Sequence, residues 1–423
     1  MYKIQSVNID GFWHRCNASC EFNDEVNIVI GKNGTGKTTF MNILHSVLVV
    51  DLDGLGTNDF DSVEIQLAKG GKKRTIKARK VDDDNFPFLF IEYQVSQRKY
   101  KIRILPSGDM RMSLNIRRHI QEESVKVRKI LDEIVSVSSL SVYRLRNDDE
   151  YEVRDRHGSR VVSPVDFRLG EVLRGLTHYQ LALSQKAREI SSRLQKDVLA
   201  SILYGEEDAK QSGYTLEFEK EKEKTNLISA YTQLNAIDSE IRKKITFHVN
   251  SIDKALSEIK HSFENKDDAE PVADAFRSLE ALRKSRKIVE MSLLSERQVK
   301  DIYSQINLFL NIVKSFIKDK EFAFESGDLI ISNQQGSIPH SRLSSGEKQL
   351  LILLTEALLQ NQSPHIYLAD EPEISLHIEW QRMVIPAIRK LNPNAQVIAA
   401  THSPEVAANY GDCLLNMEEI ISE

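Results

Sequence analysis

The run Gly31-Lys32-Asn33-Gly34-Thr35-Gly36-Lys37-Thr38 constrains this chain more than any other feature. It follows a short apolar run, Val26-Asn27-Ile28-Val29-Ile30, and precedes a segment with Phe40, Ile43, Leu44 and Val47 at helical spacing. Strand, glycine-rich turn and helix in that order match the phosphate-binding pattern G-x-x-x-x-G-K-[ST]. The glycines let backbone N–H groups turn inward around phosphates, and the helix N-terminus adds a favourable partial charge. Asn33, Gly34, Thr35, Gly36, Lys37, Thr38 and Thr39 are therefore expected to form a nucleotide cradle. Lys37 is placed to reach the β- and γ-phosphates, and the Thr38 hydroxyl to hold Mg²⁺.

At 423 residues the chain exceeds one ordinary core and suits two or three domains. The net charge of -5 means that any nucleic-acid contact needs a local basic patch. Cys16, Cys20 and Cys413 form no paired framework, and no second pair follows Cys16 and Cys20, so zinc is not expected. The N-terminus has no basic-then-apolar signal pattern. The longest apolar candidate, Leu350 to Leu359, is interrupted by Thr355 and Glu356, so no membrane span and a cytoplasmic location are expected.

Residues 60–110 alternate apolar and polar positions, as in Val63-Glu64-Ile65-Gln66-Leu67, with a Gly70-Gly71 turn signal. Antiparallel strands are expected there, with a polar loop from Asp82 to Pro87. From about 170 the texture becomes helical. Leu176, Tyr179, Leu183, Ala187, Ile190, Leu194, Val198 and Ile202 keep a three-four spacing. So do Leu234, Ile237, Ile241, Ile245, Val249, Ile252, Leu256 and Ile259, and again Ile302, Ile306, Phe309, Val313 and Phe316. Gly205 to Gly213 and Asn265 to Pro271 separate the helical stretches. After 319 the α/β texture returns, with strand candidates His365 to Ala369 and Ala395 to Ala400. The expected layout is one α/β domain in two halves, 1–169 and 319–423, split by a helical insertion at 170–318 that is a candidate assembly region.

Three further motifs follow in the second half. Ile366-Tyr367-Leu368-Ala369-Asp370-Glu371 is an apolar strand ending in two carboxylates. Beside a phosphate loop, Asp370 suits the Mg²⁺ shell and Glu371 suits polarising an attacking water. Leu343-Ser344-Ser345-Gly346-Glu347-Lys348-Gln349 opens an apolar helix, and reads either as a helix cap or as a second phosphate contact through Ser344, Ser345 and Gly346. Thr401-His402-Ser403-Pro404 follows the last strand, where His402 is either a plain loop residue or a donor to a γ-phosphate.

Together and in this order the four motifs resemble the ABC ATPase family, in the branch containing RecF, SMC proteins and the overcoming-lysogenization-defect ATPases. The resemblance covers roughly residues 1–165 and 319–410. It implies an ATPase head with a mixed sheet, flanking helices and an antiparallel β subdomain, interrupted by a coiled-coil-like insertion. It implies ATP and Mg²⁺ as ligands, with Lys37, Glu371 and His402 in catalysis. It also implies composite sites in a dimer or higher oligomer, where Ser344 and Gly346 of one copy serve the nucleotide of another. Ser345 and Glu347 depart from the family's usual Leu-Ser-Gly-Gly-Gln signature, and no glutamine is an unambiguous Q-loop residue. Gln94, Gln97 and Tyr143 to Arg146 are the candidates for that place.

Asp370-Glu371-Pro372-Glu373-Ile374-Ser375-Leu376-His377, with Thr401 to Pro404, resembles the compact ATPases of bacterial anti-phage defence operons. That group includes the PtuA subunit of Septu systems, relatives beside retrons, and the AriA ATPase of PARIS systems. The sequence ends soon after His402 without a Toprim domain, and no HNH site is evident. A nuclease effector of HNH or Toprim type is therefore expected on a separate chain. DNA is a candidate partner through three basic segments: Lys69 to Arg79, Lys126 to Lys129, and Arg283 to Lys287. The alternative is a DNA-clamping repair ATPase of the RecF/SMC kind. The large insertion disfavours a transporter subunit, and the presence of Glu371 and His402 disfavours a scaffold without turnover.

Overall fold

The computed structural model describes residues 1–82, 89–104, 114–139, 151–155, 158–201, 217–234, 236–264 and 272–422. The expected loop after Asp82, the Tyr143 to Arg146 segment, Ile202, and the separators at 205–213 and 265–271 lie outside these residues. The chain divides into two compact units, one of residues 1–178 with 308–423, the other of residues 179–307.

In the first unit the parallel and antiparallel strands form separate sheets. Five parallel strands lie in the order Leu414–Asn416, Val26–Ile30, Gln396–Ala400, Ile366–Asp370, Val137–Ser139. Strands from both ends of the sequence therefore interleave in one sheet. The middle strands are wholly or almost wholly buried: Val26–Ile30 reads buried at four of five positions and Gln396–Ala400 at all five. Such strands need mostly apolar runs, and both have them, with Asn27 and Gln396 as the buried polar residues. Gln396 joins the halves from within. Its amide accepts from the Ile4 N–H at 2.8 Å and donates to the carbonyls of Ile4 and Asn23, each at 2.8 Å.

The second sheet has seven antiparallel strands: Ile421–Ser422, Cys16–Glu21, Lys3–Phe12, Ser62–Lys69, Lys72–Asp82, Leu89–Val95 and Arg98–Ile104, in that spatial order. Ser62–Lys69 alternates buried and half-buried positions, as its sequence pattern requires. The buried face, with Val7, Ile9, Val63, Ile65, Ile76, Ala78, Ile91 and Tyr93, packs on the helix Lys37–Val49 through Phe40, Ile43, Leu44 and Val47. The phosphate loop thus stands on a helix held between the two sheets. A small sheet of Glu321–Glu325, Asp328–Asn333 and Gly336–Ser337 precedes the signature segment.

The second unit is helical. Lys220–Gln233 and Ser239–Glu264 pack with the long helix Val272–Phe316. Leu227, Ala230, Ile245, Val249 and Val289 form one buried cluster, and Ile252, Leu256, Leu279 and Leu282 another. The stripe read across 234–259 is broken. One helix ends at Gln233 and the next begins at Ser239, where Asp238 Oδ1 accepts from the Ile241 N–H at 2.7 Å. The helix Val272–Phe316 runs 45 residues, roughly 67 Å at 1.5 Å per residue. No helix among the described residues is long and apolar enough to cross a membrane.

Candidate functional site

The strand Val26–Ile30 ends at Gly31, and the loop helix begins at Lys37 with Gly36 as its N-cap. Gly36 has φ of 94°, and a Cβ there would stand 2.9 Å from the rings of Phe12 and Trp13. Only glycine satisfies both the backbone and the packing. Gly34, at φ 83°, has open space around it. Lys37 is buried, and its Nζ donates to the carbonyls of Gly31 at 2.8 Å and Lys32 at 3.0 Å. Burial lowers the Lys37 pKa, while the carboxylates of Glu371, Asp370 and Glu373 push it back up. Thr35 Oγ1 donates to Lys32 O at 2.9 Å and braces the loop. Asn33 and Thr38 are exposed and Thr39 is half-buried.

Asp370 ends the buried strand Ile366–Asp370, two places from Val26–Ile30 in the sheet, and accepts from the Thr38 hydroxyl at 3.4 Å, across 332 residues of sequence. A hydroxyl and a carboxylate side by side are hard oxygen donors of the kind Mg²⁺ takes, so the donor set fits that ion. Glu371 sits at φ 50°, a left-handed conformation that costs a non-glycine residue about 1–2 kcal/mol. Its N–H donates to Ala400 O at 2.8 Å. His402 Nε2 lies 3.6 Å from Glu371 Oε1. The structure therefore brings Lys37, Thr38, Asp370, Glu371 and His402 to the carboxyl ends of three neighbouring parallel strands. That edge is where ligands of parallel sheets sit.

The signature segment stands apart from this group. Among the described residues, Ser344, Ser345 and Gly346 make no hydrogen bond to the phosphate loop. Ser344 caps the helix Ser345–Leu359: its hydroxyl accepts from the Glu347 N–H at 3.3 Å, and Glu347 Oε2 accepts from the Ser344 N–H at 2.8 Å. Glu347 is thus a capping-box residue, and Lys320 Nζ neutralises its other oxygen at 2.7 Å. Lys348 pairs with Asp166 at 2.7 Å. A Cβ on Gly346 would fall 2.3 Å from the Ser375 carbonyl, so the signature glycine also permits close packing on the turn after Glu371.

Several sequence readings resolve. Gln94 lies in an antiparallel strand and donates to Ser96 O at 2.9 Å, and Gln97 is exposed in the next turn. Neither meets the phosphate loop. Arg128, read as part of a basic segment, instead caps the loop helix, donating to Val49 O at 3.0 Å and Val50 O at 3.1 Å. The third basic segment is tied up locally, with Arg286 on Glu223 at 2.8 Å and Arg283 and Lys284 on Glu280. The first is a broadly exposed basic stretch, at Lys72, Lys73, Arg74, Lys77 and Arg79, with Lys77 also paired to Glu64 at 2.7 Å, and Lys126 and Lys129 of the second are exposed as well. Burial pushes the Cys20 thiol up to about 12, and among the described residues no group of three or more His, Cys, Asp or Glu could hold a metal ion. Sequence reasoning missed Trp13, Lys320 and Asp166, because only folding brings them to the motifs, and it quoted Glu373 within its motif without giving it a role.

A split phosphate-loop head with a carboxylate pair and an adjacent histidine defines an ATP-binding ATPase. The chain belongs to the AAA ATPase domain family, whose model matches residues 2–407. It is 37% identical over 90 residues to the Retron Ec83 probable ATPase of Escherichia coli, covering 19% of this chain and 17% of that protein. It is 31% identical over 108 residues to the Septu protein PtuA of Bacillus thuringiensis, covering 22% of this chain and 27% of that one. A 102-residue stretch is 30% identical to the phosphonates import ATP-binding protein PhnC of Lactobacillus johnsonii, covering 24% of this chain and 39% of that one. The matches therefore span well under half the length of these relatives. The Smc head domain of Pyrococcus furiosus, solved bound to the C-terminal domain of ScpA, aligns over 97% of this chain and 92% of its own at 14% identity. The TM-score is 0.43.

Proposed function

We propose that this ATPase binds ATP with Mg²⁺, hydrolyses it, and uses the cycle to govern a separate nuclease effector in bacterial anti-phage defence. The observation that carries the catalytic part is the meeting of Lys37, Thr38, Asp370, Glu371 and His402 at one sheet edge, from opposite ends of the sequence. Backbone N–H groups from Asn33 to Thr39 cradle phosphate, and Lys37 leaves its two loop carbonyls to meet the outer phosphates. Thr38 and Asp370 would hold Mg²⁺, which when bound offsets the phosphate charge. Glu371 orients and deprotonates the attacking water, and His402 donates to the γ-phosphate from beside it. The Trp13 ring at Gly36 offers an aromatic face beside the loop for the base.

Ser344, Ser345 and Gly346 serve the nucleotide of a second copy, so turnover requires at least a dimer. The defence role rests on the partial likeness to the retron and Septu proteins. The effector, of HNH or Toprim type, is a separate chain. A second reading, a DNA-clamping ATPase acting alone, is favoured by the exposed cations on Lys72–Asp82.

The test uses the purified chain and two variants. Lys37→Ala abolishes nucleotide binding. Glu371→Gln keeps binding, slows turnover about 100-fold or more, and accumulates an ATP-bound assembly of higher mass. Native-rate hydrolysis by Glu371→Gln removes Glu371 from its assigned role. Affinity purification of the trapped variant separates the two readings. A stoichiometric nuclease supports the first, whereas a homodimer whose salt-sensitive DNA binding needs ATP supports the second.

A further inference from the structure

Past the strand Ile366–Asp370 the chain folds back in a tight turn. The Ile374 N–H donates to Glu371 O at 3.1 Å and the Leu376 N–H to Glu373 O at 2.9 Å. The turn carries the Glu373 side chain to the end of the neighbouring strand Gln396–Ala400. There three donors converge on one oxygen. The Thr401 hydroxyl, the His402 N–H at 3.0 Å and the Ser403 N–H at 3.2 Å all donate to Glu373 Oε1. The other oxygen, Oε2, is buried without a hydrogen-bond partner.

A strand end does not need this arrangement for its own stability. Water or a hydroxyl satisfies a loop N–H, and a half-satisfied carboxylate costs desolvation. What the carboxylate adds is direction, since charge-assisted hydrogen bonds are short and geometrically strict. The residue held by its backbone in this way is His402, whose ring lies 3.6 Å from Glu371. The same loop is anchored on its far side, where Ser403 Oγ donates to Gln381 Oε1 at 2.7 Å. His402 and its neighbours share a cleft of about 530 Å³ with Gly31 at the start of the phosphate loop.

We infer that Glu373 is a positioning residue for hydrolysis, fixing the backbone of Thr401 to Ser403 so that the His402 imidazole stays beside Glu371 and faces the phosphate loop. It touches no phosphate and carries no proton in the reaction. This assignment rests on the ATPase reading and on His402 as its γ-phosphate donor.

The experiment is a double-mutant cycle read in kcat, with ATP affinity and melting temperature measured alongside. Glu373→Ala lowers kcat ten- to a hundredfold, the range expected when a reacting group is displaced by a fraction of an ångström to an ångström. ATP affinity is not weakened, because the loop keeps its contacts and losing a carboxylate near Lys37 adds no repulsion to phosphate. Glu373→Gln, which keeps an acceptor oxygen for the two N–H groups, recovers most of kcat. In a His402→Ala background Glu373→Ala costs nothing further, since it acts only through that histidine. Multiplicative losses in the double variant overturn the assignment, as does an unchanged kcat or a loss confined to ATP affinity. Should Glu373→Ala precipitate, Thr401→Val removes one of the three donors and must lower kcat in the same His402-dependent way. A wild-type chain turning over ATP no faster than Lys37→Ala sinks the parent reading, and this one with it.

Discussion

Arg168→Met gives the sharpest test of how the signature helix is held. Arg168 Nε donates to Glu356 Oε1 at 2.9 Å, its Nη2 reaches the same oxygen, and its Nη1 donates to Glu171 at 3.0 Å. The Glu356 side chain is 7% exposed, and its Oε2 is buried without a partner. Burial raises the Glu356 pKa, and Arg168 opposes that rise. Removing the cation leaves a buried carboxylate that escapes its desolvation by taking a proton. At pH 7, protonating a carboxyl of ordinary pKa about 4.3 costs about 3.7 kcal/mol, which caps the destabilisation from this group. At pH 5 the cap falls to about 1 kcal/mol. The sign follows from linkage. A raised folded-state pKa means the native state holds the proton more tightly, so the loss grows as pH rises through that pKa. At about 2–4 °C per kcal/mol, the variant should melt below wild type by at most about 7–15 °C at pH 7 and at most about 2–4 °C at pH 5, less whatever cost the already raised Glu356 carries in wild type. Differential scanning fluorimetry at both pH values measures the gap. A gap independent of pH refutes the reasoning. So does one that persists when Glu356→Gln is added.

Three other outcomes are expected. Lys320→Met strands the buried Glu347 carboxylate and should cost about 1–3 kcal/mol in melting experiments, whereas adding Glu347→Gln restores stability, because glutamine serves the capping box too. Cys20, with its thiol pushed to about 12, should resist iodoacetamide at pH 8 in the folded chain and react only after unfolding, as peptide mass spectrometry would reveal. Burial lowers the His365 pKa to about 4, so the native state refuses a proton that the unfolded chain accepts near 6.5, and stability is lost as pH falls across that window. His365→Gln should flatten that acid loss relative to wild type. Equal loss in both chains would place its origin elsewhere.

What was legible in the sequence was local. The loop Gly31 to Thr38, the strand ending in Asp370 and Glu371, and the turn with His402 each declare themselves within a dozen residues through apolar run, turn chemistry and helix start. The alternating strands from Ser62 to Ile104 were equally plain, since one face is buried and the other wet. Apolar periodicity located the helical middle but not its breaks. The stripe from Leu234 to Ile259 passes through Asp238 without losing phase, and the signal of a new helix there is a capping side chain rather than a hydrophobic one. The Glu347 departure is explained locally by the spacing Ser344-x-x-Glu347 of a capping box, whereas its ion pair with Lys320, 27 residues upstream, is not readable there. Arg128 is exposed, as a charge run suggests, and only the fold places its guanidinium on the carbonyls of Val49 and Val50, 79 and 78 residues away.

The ties to the signature helix follow a pattern that bears on why the chain is divided at all. Asp166, at the start of the helix Pro164–Ala200, pairs with Lys348. Lys320, just past the end of Val272–Phe316, pairs with Glu347. The segment leaving for residues 179–307 and the segment returning from them are thus both fastened to the first turn of the helix that Ser344 caps. Closing a long loop costs only slightly more entropy than closing a short one, so an insertion of this size is thermodynamically tolerable once its two roots are pinned. Two ion pairs with largely buried cations, on consecutive residues of one helix turn, do that pinning. They tie the helix turn that follows Ser344 to both roots. Both roots reach the same helix turn even though the strands from Glu321 to Ser337 separate the returning segment from that helix in sequence.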